Sequence, residues 1–305
     1  MRAGYILQGI LHLLQMEKKN DAVSWLLFLG LSLIWGSSFI LMKIGMRELT
    51  AVHVATLRIL SAGIALIPFT YKAFQKIPRQ KLGVVILSGL CGSFFPAYLF
   101  CIAETRIDSG LTAIFNSLTP LLTVIIGISF FQLKASPKKI IGVLIGFVGL
   151  CLLPLAGPNG IDWKDVSYAL LVLLATVFYA FNVNLVGRHL KEAGSVNIAA
   201  VAFSFLVIPC LFILYFTQFF NSAFHHPAIW LSIGASAILG TIGTAVASIL
   251  FYMLVKRSGA IFASLVTYGI PFIAVLWGVI YGEEITLLQL GCLGIILGGV
   301  YLVNK

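Results

Sequence analysis

Charge is what this sequence has least of. Asp, Glu, Lys and Arg make up 10% of its 305 residues, where soluble domains carry about 25%. Acids are the scarcer sign, 10 against 20 basic residues, and none lies clearly in the middle of an apolar run. That shortage argues against a carboxylate proton relay. It also argues against a membrane-embedded enzyme such as a lipid-modifying transferase, which needs convergent acids and bases. No GxxxxGK[ST] stretch occurs, so the chain alone is no nucleotide-driven pump. The five cysteines, Cys91, Cys101, Cys151, Cys210 and Cys292, form no CxxC pair and show no metal-like spacing. They read as small buried hydrophobes. His225 and His226 adjoin in a loop, but His12, His53 and His189 offer no matching ligand spacing. No cofactor and no metal are expected.

Apolar sequence is what the chain has instead, at 60% of residues. A bilayer core takes about 20 consecutive apolar residues per helix. Candidate runs follow one another at 22–42, 52–70, 82–103, 111–131, 140–157, 166–186, 196–216, 228–255, 259–281 and 285–303. The expectation is an all-α integral membrane protein with ten transmembrane helices and no soluble domain.

Basic residues orient the spans, because cytoplasmic loops are enriched in Lys and Arg. With the N-terminus inside, fifteen of the 20 Lys and Arg fall in inside segments. Four, Lys43, Arg47, Arg106 and Lys164, fall outside, and Arg58 lies within a span. Both termini are therefore expected in the cytoplasm. The net charge of +10 is spread over short loops with no basic stripe, so nucleic acid is not an expected partner. Residues 1–21 are set apart as an N-terminal cytoplasmic extension. Within it 5–14 is apolar but too short to span, and no small-residue cleavage site follows. It reads as an interfacial helix, or Met16 is the true start.

The stretch "IFNSLTPLL", from Ile114 to Leu122, puts Asn116, Ser117, Thr119 and Pro120 inside an apolar run. A second stretch, "VTYGIPFI", does the same with Thr267, Tyr268 and Pro271. Each then leads through a short polar hairpin to a Gly-spaced helix, with Gly142, Gly146 and Gly149 in one and Gly291, Gly294, Gly298 and Gly299 in the other. Self-similarity at long period indicates a duplicated unit, here 22–157 and 164–303. A five-span unit is odd, so its second copy enters the membrane from the opposite side. The result is two inverted five-helix repeats, an architecture of secondary transporters.

Three stretches carry a resemblance to a known family: "WGSSFILMKIG" (35–45), "ATLRILSAGIAL" (55–66) and "SLVTYGIPFIAVLWGVIYGEEIT" (264–286). In this order across ten spans, the chain resembles the EamA family of the drug/metabolite transporter superfamily over roughly 22–303. The resemblance implies a ten-helix basket that moves small metabolites, often outward, across the bacterial inner membrane. Gln132 stands where the second half has Glu283, so no role is expected for a matched pair of hairpin acids.

Proline lacks an N–H and frees the carbonyl four residues earlier, here that of Asn116 for Pro120 and of Thr267 for Pro271. Irregular backbone at membrane depth is tolerated against protein or a water-filled cavity. Asn116, Thr119, Thr267 and Tyr268 are therefore expected around a central cavity, with Pro120 and Pro271 as hinges. Ordinary helix packing through Ser, Thr and Asn is the alternative. Trp35 and Ser38 in span one, Tyr179 and Asn182 at the comparable place in span six, and Tyr98 beside Pro96 join the candidates. Thr241, Thr244, Ser248 and Tyr252 recur at spacings of three or four, hence on one helix face. Arg58 is a site candidate because an ionisable residue inside a span is functional by default. It attracts a substrate carboxylate or pairs with Glu104 or Asp108. The Gly-spaced helices serve close packing within the basket or a weak homodimer. The function these features point to is alternating-access transport of an amino-acid-like or amphipathic small molecule, with export as the expected direction.

Overall fold

The computed structural model describes residues 2–107, 112, 115–155, 166–221, 226–280 and 286–304. Asp108, His225 and the second hairpin with Glu283 lie outside these residues. Among the described residues all regular structure is helical. Among these residues six helical stretches are long and apolar enough to cross a bilayer: Ala22–Gly45, Ala51–Lys76, Arg79–Ala103, Ala169–His189, Ser195–Phe216 and Pro227–Ser264. Thr119–Phe131 and Leu287–Val303 are shorter apolar helices.

Helix α1 runs Arg2–Gly45, so the first span continues an upstream helix without a break. Helix α2, Ala51–Lys76, starts where the Thr50 hydroxyl accepts from the His53 N–H at 3.2 Å, a side-chain cap for an otherwise unpaired N–H. Leu82–Gly89 (α3) and Phe95–Ala103 (α4) are joined through a π turn at Leu90–Phe94. Then come α5 (Thr119–Phe131), α6 (Pro137–Leu155), α7 (Ala169–His189) and α8 (Ser195–Phe216). Pro227–Gly240 (α9) and Ala247–Ser264 (α10) are joined by a second π turn, Thr241–Val246. Val266–Ile280 (α11) and Leu287–Asn304 (α12) complete the series. Gly259 breaks α10 at φ 83°, a left-handed backbone open to glycine at little cost. That break falls where the hydropathy pattern separates 228–255 from 259–281.

The helices pair in a pattern that maps onto itself when the halves are exchanged. Helix α2 packs on α8 and α6 on α12. Helix α1 packs on α11 and on the α9–α10 rod, as α7 packs on α5 and on the α3–α4 rod. The contact between α6 and α12 is backbone to backbone. A Cβ on Gly299 would lie 2.5 Å from the Gly146 nitrogen and 2.6 Å from the Gly142 oxygen. These glycines thus serve packing within the molecule, while Gly291, Gly294 and Gly298 have open space before them. Leu26, Ile67, Phe130, Ile208, Phe216 and Leu288 are among the large apolar side chains exposed on the outside, as a lipid-facing surface requires.

Both expected proline breaks are local. Pro120 sits in the first turn of α5, preceded by a turn at 117–118, where a missing N–H has no partner to lose. The Asn116 carbonyl is not left free, because the Thr119 hydroxyl donates to it at 2.7 Å. Pro271 lies inside α11.

Candidate functional site

A cavity of about 90 Å³ lies between the halves, where roughly 10–15 Å³ on this measure is enough for one water. Helix α1 lines it with Trp35, Ser38, Phe39 and Met42, and α2 with Arg58. Gly92 and Ser93 come from the first π turn, Phe100 from α4, Asn116 from the segment just before α5, and Thr119 from the start of α5. The second half supplies Tyr179 and Asn182 from α7, Gly243 and Thr244 from the second π turn, Ser248, Phe251, Tyr252 and Ser264 from α10, and Thr267 and Ile270 from α11.

The two π turns set the geometry. A π turn admits one extra residue and disturbs the regular ladder, and such turns recur at functional sites. Gly92 and Gly243 are the third residues of their turns. The Trp35 indole N–H donates to the Gly243 carbonyl at 3.1 Å. In the other half Asn182 presses on Gly92 so closely that a Cβ there would lie 2.2 Å from its Nδ2. Asn182 Oδ1 also accepts from the Ser88 hydroxyl at 2.7 Å, and Ser88 meets the Tyr252 hydroxyl at 3.2 Å. Each first helix of a half therefore docks on the π turn of the other half.

Arg58 is held rather than loose. Its Nε donates to the Thr244 hydroxyl at 2.7 Å, and that hydroxyl donates to the Leu239 carbonyl at 3.1 Å. Its terminal nitrogens make no hydrogen bond to another described residue, so they remain available to an anion. Neither Glu104 nor any other described acid bonds it. The hydroxyls of Ser38, Thr119 and Thr267 donate back to carbonyls of Ile34, Asn116 and Ser264, leaving lone pairs for a bound solute or water.

The EamA-like transporter family model matches residues 23–154 and again 166–305, once per half. The chain belongs to the EamA-like transporter family. Among similar proteins, the uncharacterized inner membrane transporter YedA of Escherichia coli (strain K12) is 24% identical over 286 residues, covering 90% of this chain and 88% of that one. A probable amino-acid metabolite efflux pump of Salmonella typhimurium (strain LT2) is 26% identical over 283 residues, covering 88% and 90%. One solved crystal structure superposes with a TM-score of 0.69 at 17% identity, covering 92% of this chain and 96% of that one, a likeness of fold.

Of the residues singled out in this EamA-like chain, Trp35, Ser38, Arg58, Asn116, Thr119, Tyr179, Asn182, Thr244 and Thr267 line the cavity. Tyr98 does not. Its hydroxyl shares a 2.8 Å bond with Thr56, and it lines a separate apolar groove with Phe94, Phe95 and Phe178. The π turn resets the register of α4, so Phe100 is the aromatic that turns inward. Thr241, the first residue of the second π turn, is not among the lining residues and bonds the Ala237 carbonyl at 3.0 Å. Tyr268 is fully buried, with its hydroxyl on the Val143 carbonyl at 2.9 Å. Its ring fills the space before Gly146. It packs α11 on α6, because adjacent helical residues diverge by about 100° and Thr267 takes the cavity side. Phe39, Met42, Gly92, Ser93 and Phe100 are lining residues that the reading of the sequence did not single out. Spacing from Trp35 would have found the first two, while nothing local marks a π turn.

Proposed function

We propose that this protein is a secondary transporter that works by alternating access around the cavity. The ten expected spans then form two inverted five-helix repeats, 22–157 and 164–303, in the inner membrane with both termini cytoplasmic. Its substrate on this reading is a small amino-acid-like or amphipathic solute, and its direction is export. The lining carries the reading: one cation, Arg58, among hydroxyl, amide and aromatic groups, with no carboxylate among the described lining residues. Such a site suits a solute with a carboxylate head and an apolar body, since buried guanidinium–carboxylate pairs are strong and directional. The name of the Salmonella relative, an amino-acid metabolite efflux pump, agrees with that class. Helix pairing that survives exchange of the halves is what rocking of one repeat against the other needs.

The test is an efflux profile. Cells with and without the protein are loaded with amino acids and dipeptides, and the medium is analysed by mass spectrometry. Faster appearance of a carboxylate-bearing solute, abolished by Arg58→Gln, is expected. Release of cations alone, or no difference in the medium, would count against it.

A further inference from the structure

Glu104 is the first residue beyond α4 and lies just past the end of its span. Its backbone N–H closes the helix on the Phe100 carbonyl at 2.9 Å. Its side chain is 9% exposed. Neither carboxyl oxygen has a hydrogen-bond partner, and among the described residues these are the only buried side-chain polar atoms left so. A carboxylate buried without hydrogen bonds is strongly disfavoured and takes up a proton instead. Two cations stand near enough to act on Glu104 through space without bonding it: Lys43 at the end of α1 and Arg58 on α2. Burial pushes its carboxyl up to about 8, while Lys43 and then Arg58 pull the other way.

Titratable groups on this helix and on the elements beside it make contacts of their own. The Cys101 thiol on its own helix turns to the Met42 sulfur at 3.8 Å. From α7, the Tyr179 ring packs on Phe100. From α2, His53 faces Phe219 and the Thr217 carbonyl. Arg106 lies over the Tyr168 ring at 6.0 Å. The buried acid thus has two cations near it and is bound by neither.

We propose that Glu104 is a proton-binding site one turn beyond the cavity-lining Phe100, loaded in this conformation and emptied when Lys43 or Arg58 closes on it. On unloading, the carboxyl O–H bond breaks, the proton passes to water at that face, and the carboxylate accepts N–H bonds from the arriving cation. Arg58 is the link to the cavity. Thr244 of the other half holds it by Nε only, so its terminal nitrogens serve either Glu104 or a solute carboxylate. A solute on Arg58 therefore favours protonated Glu104, and by reciprocity a proton on Glu104 favours solute. This coupling, though not the proton site itself, rests on the transport reading above.

The first test is infrared difference spectroscopy on the full-length protein in lipid nanodiscs, which needs no substrate. Wild type is expected to show a protonated-carboxyl stretch at neutral pH that disappears on alkalinisation and is missing in Glu104→Gln. No such difference between the two folded proteins overturns the proposal. Lys43→Gln, which leaves the acid in place, should move the disappearance to higher pH, and an unmoved midpoint also counts against it. In proteoliposomes holding a pH dye and a mixture of neutral amino acids, wild type should move protons with solute. Glu104→Gln should move solute with a proton flux roughly tenfold or more lower. Undiminished proton flux in that variant overturns the coupling. If wild type moves no amino acid, the transport reading fails while the infrared titration still decides the proton site.

Discussion

At the scale of single residues, one charge and one hydroxyl separate function from packing. Arg58 inside a span would cost about 2.5–3.5 kcal/mol on insertion scales if unpaired. The structure meets that cost with one hydrogen bond, to Thr244, and leaves the rest of the guanidinium for a ligand. Arg58→Gln should therefore lower transport of carboxylate-bearing solutes by roughly tenfold or more while gel filtration shows folded protein, as expected when about 1.4 kcal/mol or more of binding is lost. Loss of folded protein would instead assign Arg58 a structural role. Tyr268 is the contrasting case. Its hydroxyl bonds the Val143 carbonyl in a dry contact between α11 and α6. Tyr268→Phe should cost about 0.5–1.5 kcal/mol of stability, the net worth of one hydrogen bond, because the Val143 carbonyl keeps its place in the helix ladder. Transport per folded molecule should be unchanged, and a thermal unfolding series in detergent beside a flux assay checks both.

At the scale of elements, the π turns and the two prolines make opposite predictions. Gly92 has no room for even one methyl, since its Cβ would meet Asn182. Gly92→Ala should push Asn182 away from Ser88 and lower transport far more than Gly83→Ala, a glycine with open space before it. Equal effects in a flux assay would show that the first π turn is not a docking site. The prolines divide in the same manner. Pro120 stands in the first turn of α5, where proline is well tolerated, so Pro120→Ala should leave turnover within about twofold. Pro271 lies inside α11 and removes a ladder hydrogen bond there. A helix with a missing bond bends at lower cost, so Pro271→Ala should stiffen α11 and slow turnover, with solute affinity within a few fold. Turnover at the wild-type rate in both variants would make each proline a packing feature.

At the scale of the whole molecule, the charge bias of the loops predicts sidedness. In a cysteine-less background, single cysteines at Lys76 and Lys138 should resist an impermeant thiol reagent in intact cells and react in inverted vesicles. Labelling from outside at either position would overturn the assigned orientation. The proposed repeats were read from local features that a duplication would preserve: a proline after a polar cluster, a polar hairpin, a run of spaced glycines. Much of the cavity was legible for a related reason. A polar or charged group within an apolar run has few tolerable places in a bilayer, and an internal cavity is one of them. That logic found Arg58, Asn116 and Thr267. It misplaced Tyr98 and Tyr268, because a buried hydroxyl is equally content on a neighbouring hydroxyl or carbonyl, and sequence spacing does not say which. It also took Glu104 only as a partner for Arg58, since a residue at the end of a span looks solvated until the helices around it are packed.

What the sequence determined by itself is the medium, the helical class and the family. These follow from composition, from the length of apolar runs and from local patterns that need no third dimension. What only the tertiary structure decided is which polar groups meet. The extra residue in the first π turn rotates the helix beyond it, which brings Phe100 inward and turns Tyr98 away. The pairing of α1 and α7 with the opposite half's π turn joins Trp35 to Gly243 and Asn182 to Gly92. Both depend on the register and the close approach of helices distant in sequence, set by the sum of many packing contacts rather than by any one stretch of the chain.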